Sequence, residues 1–243
     1  MQMLPCFGSF NRKPLMLDPI PISDPLNLLR EGAAALGLEL SGHTLEQFRI
    51  YLEQLQLWNA RINLTALKTE RDIIIKHFLD SLAVLPFLGD PASLADLGSG
   101  AGFPGLVLKL ARPEMTLTLM EARRKKAAFL DYLASHLGLA GVEVLQVQLT
   151  PALARKWGPR FAAVVSRAAF SLDKFLGLAA PLLLPGGKAL ALKGPGLSPE
   201  ELAAASGLIE RLGLKGPQLH PYNLPISGEP RLLVLASAPA APL

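Results

Sequence analysis

The sequence predicts a doubly wound α/β fold, its sheet mostly parallel with a C-terminal antiparallel strand, preceded by an N-terminal helical appendage. Three observations carry the prediction. From Ser93 onward short apolar runs alternate with amphipathic helical stretches, the pattern of a parallel sheet covered on both faces. A glycine-rich turn stands between the first such run and the helix after it, where open α/β sheets bind their ligands. The 243 residues, 50% hydrophobic and 18% charged, suffice for one large domain with a small addition and are too apolar for a disordered chain.

Residues 1–22, rich in proline, are expected to be a disordered tail, 23–90 the helical appendage and 91–243 the α/β domain. Ser23-Asp24-Pro25 caps a first helix carrying Leu26, Leu29, Ala33 and Leu36. A second helix runs from Thr44 with Leu45, Phe48, Leu52 and Leu55 at helical spacing, and a third from near Thr69 toward Pro86. Between these two, Trp58 to Thr65 reads as a hydrogen-bonded loop. Strands follow at Leu94–Leu97, Thr116–Met120, Val142–Val147, Ala162–Val165 and Lys188–Leu192. Helices lie between them near Gly105–Ala111, Arg124–Leu137 and Leu172–Leu184, with a weaker one at Ala152–Lys156. Ser198-Pro199-Glu200-Glu201 starts a last helix, with a cap, a proline in the first turn and acids at the positive helix end. Lys215–Leu219 and Arg231–Ala236 form a closing antiparallel pair.

The mean hydropathy of +0.33 raises the question of a membrane. The longest uncharged runs, Phe175–Gly187 and Gly216–Gly228, hold 13 residues each and contain prolines, whereas a span needs about 20 apolar residues. No membrane partner is expected, and no signal peptide is apparent in Met1–Pro25. The single cysteine, Cys6, excludes an internal disulfide and a cysteine-based metal site, so the expected compartment is the cytoplasm and no metal is expected. A net charge of +4 permits an anionic partner without identifying one.

The most informative stretch is Asp96 to Gly105, with Gly98, Ser99, Gly100, Gly102 and Phe103 inside it. Its G-x-G-x-G spacing misses the dinucleotide fingerprint, which wants a glycine where Phe103 stands, and no Gly-Lys-Ser/Thr follows for a phosphate loop. S-adenosylmethionine fits better: helix N-terminal amides suit its carboxylate, and Asp96 its ammonium. Its ribose hydroxyls are donors and call for a second carboxylate. Glu121, 23 residues after Gly98 at the end of the second strand, is where a ribose-binding acid belongs. The plainer alternatives are a tight turn and a solvated acid.

Further pieces of the sequence resemble a known family. They are Trp58-Asn59 with Ile62-Asn63-Leu64-Thr65, His77-Phe78-Leu79-Asp80-Ser81-Leu82, the glycine loop with Phe103-Pro104-Gly105, Lys125-Lys126 with Phe129-Leu130, Ser166-Arg167-Ala168, and Lys193-Gly194. In this order they resemble the glucose-inhibited division B family, bacterial small-subunit ribosomal RNA guanine-N7 methyltransferases. The resemblance implies a class I methyltransferase fold, S-adenosylmethionine as cofactor, and small-subunit ribosomal RNA or a ribosomal particle as partner; a monomer is expected, though the sequence does not reveal the oligomeric state.

Elimination narrows the chemistry independently. Attack at pyrimidine C5 needs a cysteine nucleophile, and the only thiol lies in the tail. Base amino-group methylation often uses an Asn/Asp-Pro-Pro-aromatic turn after the fourth strand, where this chain has Ser166-Arg167-Ala168-Ala169. Guanine N7 carries no proton and needs no general base, only an in-line approach. Arg167 then suits either the methionine part of the cofactor or a guanine acceptor, against the alternative of a surface salt bridge. Lys193 is a candidate phosphate contact and Lys188 a weaker one. His77, Asp80 and Ser81 share one helix face, as a local cluster or at the mouth of the site. The Arg123 to Lys126 run reads as a solvated face or a phosphate-facing patch.

Two departures from the family pattern stand out. Where the family usually has Arg-Ala-Glu after the third strand, this chain has Gln148-Leu149-Thr150, which leaves backbone groups of Leu149 and Thr150 for adenine. Where it tends to have Asp after the aromatic residue opening the fourth strand, Phe161 is followed by Ala162-Ala163. The alternatives are methylation of a small molecule or protein, and a degenerate fold that binds RNA or cofactor without turnover.

Overall fold

The structure, a computed structural model, describes residues 25–241. The expected tail, Cys6 and the Ser23-Asp24 cap lie outside the described residues. Helix α1 (Pro25–Ala35) is followed by α2 (Gly42–Ile62). The start of α2 precedes the expected Thr44 because Ser41 is the cap, its hydroxyl accepting from the Thr44 amide at 3.0 Å. Asn63 ends α2 in the left-handed region, which asparagine tolerates. The expected third helix is divided. Thr69 caps α3 (Glu70–Ile73), a π-helix occupies Ile74–Leu79, and α4 (Asp80–Leu82) and α5 (Leu85–Leu88) follow.

Seven strands and their helices then alternate: β1 (Ser93–Leu97), α6 (Gly105–Ala111), β2 (Thr116–Glu121), α7 (Arg124–His136), β3 (Val142–Gln146), α8 (Pro151–Trp157), β4 (Phe161–Arg167), α9 (Leu172–Ala179), β5 (Leu183–Lys193), α10 (Pro199–Arg211), β6 (Lys215–Asn223) and β7 (Pro230–Ser237). The helix expected over Leu172–Leu184 stops at Ala179 and tightens into a 3₁₀ turn at Ala180–Leu182, because Pro181 has no amide to continue the ladder.

The strands form one sheet in the order β3-β2-β1-β4-β5-β7-β6, with β7 antiparallel to both its neighbours and the other pairings parallel. The order reverses between β1 and β4, so the crevice beyond their carboxyl ends is the topological switch point. Alternate side chains serve two cores. Leu94, Leu117 and Leu119 join α6 and α7, while Ala95, Leu97 and Met120 join α9 and α10. Leu29, Phe48, Tyr51, Leu55 and Phe78 belong to the first core, so the N-terminal helices are packed into the layer made by α6 and α7. No helix among the described residues is long and apolar enough to cross a membrane.

Candidate active site

A cavity of about 970 Å³ opens at the switch point, walled by the glycine loop, the ends of β2 to β5, the loop before α3 and the π-helix. The glycine loop is tied down from behind. The Gly98 and Ser99 amides donate to the Met120 carbonyl at 2.9 and 3.2 Å, and the Ser99 hydroxyl donates to the Asp96 carbonyl at 2.8 Å. Gly98 has φ +72, and a Cβ there would stand 2.6 Å from Ala169 Cβ, so only glycine lets the loop meet the turn after β4. In that turn Ala168, at φ 53, is itself in the left-handed region. Glu121 is buried beneath the loop, its Oε2 accepting from Gly100 N–H at 2.9 Å and its Oε1 from Arg123 N–H at 2.7 Å.

At the opposite wall Arg167 leaves the end of β4 and is held on several sides. Nη1 donates to the Lys76 carbonyl at 2.8 Å and to Asp80 Oδ2 at 3.2 Å, while Nη2 donates to His77 Nδ1 at 2.8 Å. The guanidinium carbon lies 4.9 Å from the Phe103 ring centre, a cation–π arrangement. His77 Nδ1 stands between Arg167 Nη2 at 2.8 Å, from which it can accept, and the Lys76 carbonyl at 3.1 Å, to which it can donate, while Nε2 meets Thr65 Oγ1 at 2.7 Å. Burial first, and the Arg167 charge second, push the His77 pKa down to about 3. His77 is therefore a neutral, hydrogen-bonded imidazole near neutral pH. Phe103 is a platform: Tyr51 stacks on it at 5.3 Å and His77 at 4.4 Å, and the Tyr51 hydroxyl donates to the Ala101 carbonyl at 2.7 Å.

The geometry agrees with the comparison to known proteins. A profile of GidB, described as rRNA small subunit methyltransferase G, matches residues 44–215. The chain belongs to the GidB family. A relative named ribosomal RNA small subunit methyltransferase G, from Geobacter sulfurreducens, is 41% identical over 207 residues, covering 85% of this chain and 94% of its own. One of the same name from Deinococcus radiodurans is 43% identical over 212 residues, with 86% and 83% covered. Among solved structures, the [4+2]-cyclase SpnF superposes with TM-score 0.55 at 12% identity, over 83% of this chain and 98% of that one. A SAM-dependent methyltransferase from Aquifex aeolicus superposes with TM-score 0.50 at 18% identity, over 68% and 92%. These likenesses show the class I fold, and the cyclase illustrates that this fold hosts more than one chemistry.

In this GidB chain the cavity wall gathers Gly98, Ser99, Gly100, Phe103, Glu121, Leu149, Arg167, Lys193 and His77 from the residues singled out in the sequence. Asp96, Gly102 and Thr150 are placed elsewhere. Asp96 is fully buried behind the loop, its Oδ2 accepting from Gly105 N–H at 2.9 Å. Its Oδ1 finds no hydrogen-bond partner among the described residues, and burial pushes its pKa up to about 7. Gly102 faces inward, where a Cβ would meet the Tyr51 hydroxyl at 2.5 Å. Thr150 caps α8 with its hydroxyl, which accepts from Leu153 N–H at 3.2 Å. Lys193 reaches the wall with two protons already placed, on the Phe170 carbonyl at 3.0 Å and Glu201 at 2.7 Å. Lys188 is not in the wall and donates to the Phe87 carbonyl at 2.9 Å. Arg123 and Lys126 line the rim, and none of the four cations from Arg123 to Lys126 forms an ion pair among the described residues. Ser81 turns back to its own helix, donating to the His77 carbonyl at 2.6 Å. Lys76, Arg231 and Phe170, which no local motif marks, also line the cavity.

Proposed function

We propose that this chain transfers a methyl group from S-adenosylmethionine to N7 of a guanine in small-subunit ribosomal RNA. The reading is carried by the division of the cavity into a glycine cradle with a carboxylate at one side and a fixed guanidinium beside a neutral imidazole at the other. The cradle fits the cofactor. Gly100, at φ +58, has nothing nearer to a would-be Cβ than the Gly98 carbonyl at 3.8 Å, which leaves its backbone open to a ligand. Glu121 would hold the ribose hydroxyls, and Val147, Gln148 and Leu149 would flank adenine.

When bound, S-adenosylmethionine supplies a sulfonium methyl, which the proton-free N7 lone pair takes in one displacement that asks for no base. His77 suits that requirement, since both its ring nitrogens are engaged and it stays neutral. Arg167 keeps Nε–H and one Nη2 proton uncommitted among the described residues, donors suited to guanine O6. The exposed Arg123 to Lys125, with Lys126 beside them, offer positive charge to the RNA backbone. The relatives' name points to small-subunit ribosomal RNA as the acceptor.

The test is incubation with undermethylated small subunits and methyl-labelled cofactor, followed by cleavage specific to N7-methylguanine. Label should appear in the RNA at a cleavable guanine. Label that survives ribonuclease treatment would replace the reading with a protein or small-molecule acceptor, and bound cofactor without transfer would replace it with a non-catalytic fold.

A further inference from the structure

Asp80 is a buried carboxylate on which donors from three strands converge. Its Oδ2 takes Arg167 Nη1 of β4 at 3.2 Å, its Oδ1 takes the Tyr222 hydroxyl of β6 at 2.7 Å, and Arg231 Nε of β7 stands 3.8 Å away. Burial, reinforced by the Asp80 charge, raises the Tyr222 pKa far above its ordinary value, so its hydroxyl remains a donor. The backbone is special at the same place. Asp80 directly follows the π-helix, whose Lys76 carbonyl and His77 ring complete the enclosure of the guanidinium, and wide turns of this kind recur at functional sites. A planar guanidinium bound on its Nη1 side by a carboxylate and a carbonyl has few orientations left.

We propose that Asp80, itself fixed by Tyr222, is a positioning residue that aims the free donors of Arg167 into the cavity. Asp80 acts on the acceptor's approach and leaves cofactor binding to the glycine loop and Glu121. The proposal rests on the methyltransfer reading above and extends it to a residue of the cavity wall that acts through Arg167. A buried ion pair is weak evidence for stability by itself, since removing two charges from water offsets their attraction, and a specifying role is the hypothesis to test. Tyr222 and Arg231 lie on the two C-terminal strands, so the antiparallel end of the sheet takes part in shaping the site.

Two measurements decide it. Arginine side-chain ¹⁵N spectra, with Arg167 assigned by loss of its signal in Arg167→Lys, should show separate Nη resonances from hindered rotation in the native protein. Asp80→Asn should average them and Tyr222→Phe should broaden them. Unchanged resonances in both variants would overturn the proposal, and this readout needs no activity. In turnover, Asp80→Asn should lower kcat by roughly 10- to 100-fold, the scale of misorienting a reacting partner, while calorimetric affinity for S-adenosylmethionine stays within about 3-fold. The double variant with Arg167→Ala should be no slower than Arg167→Ala alone, because residues acting as one unit are non-additive. Additive losses, or an equal fall in cofactor affinity, would show a merely structural role. If Asp80→Asn does not fold, Tyr222→Phe carries the same comparisons, with a smaller fall in kcat expected. A native protein that binds cofactor and transfers nothing to small-subunit RNA would refute the functional reading, and the resonances would still decide the orientation of Arg167.

Discussion

Glu121 uses one lone pair of each oxygen on the loop amides of Gly100 and Arg123 and lines the cavity with the rest. Glu121→Gln should therefore weaken S-adenosylmethionine binding about 10- to 100-fold by calorimetry, since a hydrogen bond to a charged group contributes ~1.5–3 kcal/mol. Arg167→Ala should reduce methyl transfer more than about 10-fold, because one bidentate guanidinium contact discriminates by ~1–3 kcal/mol; unchanged transfer would reject its role. Asp96 and His77 make opposite demands on pH. The folded-state pKa of Asp96, about 7, lies above its ordinary 3.8, so its contribution is present in acid and lost as pH rises toward 7. That of His77, about 3, lies below 6.5, so its contribution is complete above 6.5 and lost as pH falls. The two slopes oppose each other between. Asp96→Asn removes only the first, and the stability of the variant relative to the native protein should rise by about 1.4 kcal/mol per pH unit across this window. Urea unfolding at several pH values checks it, and a constant offset would mean that Asp96 does not titrate there.

The glycine loop is an element defined by what it leaves out. Gly98→Ala would combine an unfavourable φ with a Cβ 2.6 Å from Ala169 and 3.3 Å from the Phe170 ring. Overpacking of this kind costs about 1–3 kcal/mol, and the loop should shift enough to weaken cofactor binding at least about 10-fold. Calorimetry beside a melting curve measures both, and native affinity would show that the turn after β4 gives way instead. This loop was legible in the sequence because glycine spacing, a preceding apolar run and a following helix are all local signals. The parallel sense of β1 to β5 was legible for a similar reason, since each of β1 to β4 is followed by a helix that returns the chain in the same direction. The π-helix was not. Its residues alternate in burial much as an α-helix would, and its Lys76 carbonyl is engaged by Arg167, 91 residues away. The same distance in sequence hid Tyr222 and Arg231, whose partner Asp80 precedes them by 142 and 151 positions. Asp96 was legible as important and misread in placement: a carboxylate at a strand end looks exposed to ligand until the α6 amide is seen to cover it.

At the scale of the molecule, one layer of core joins segments that the sequence separates at residue 90. Tyr51 of α2 supports Phe103 and the Ala101 carbonyl of the glycine loop, and Phe48 and Tyr51 pack on Phe78 of the π-helix. The glycine-loop side of the cavity thus depends on a helix that precedes the α/β part of the chain. At the far edge of the sheet, β6 contains Pro217 and Pro221, which cannot donate to an added strand. Edge-to-edge pairing of two copies is thereby opposed, and sedimentation should show a monomer. The N-terminal layer gives a stronger prediction. Leu29, Phe48, Tyr51, Leu55 and Phe78 are essentially fully buried, and each such side chain contributes about 1.5–3 kcal/mol through burial. Their sum is comparable with the whole stability of a typical domain, ~5–15 kcal/mol. A fragment comprising residues 91–243 should therefore lose cooperative unfolding, bind hydrophobic dyes and fail to bind S-adenosylmethionine, although it contains the glycine loop, Glu121 and Arg167 entire. Circular dichroism melts and calorimetry on the fragment test this. A sharp transition with retained cofactor binding would instead make the N-terminal helices a separable domain, and the bracing of the glycine loop by Tyr51 dispensable.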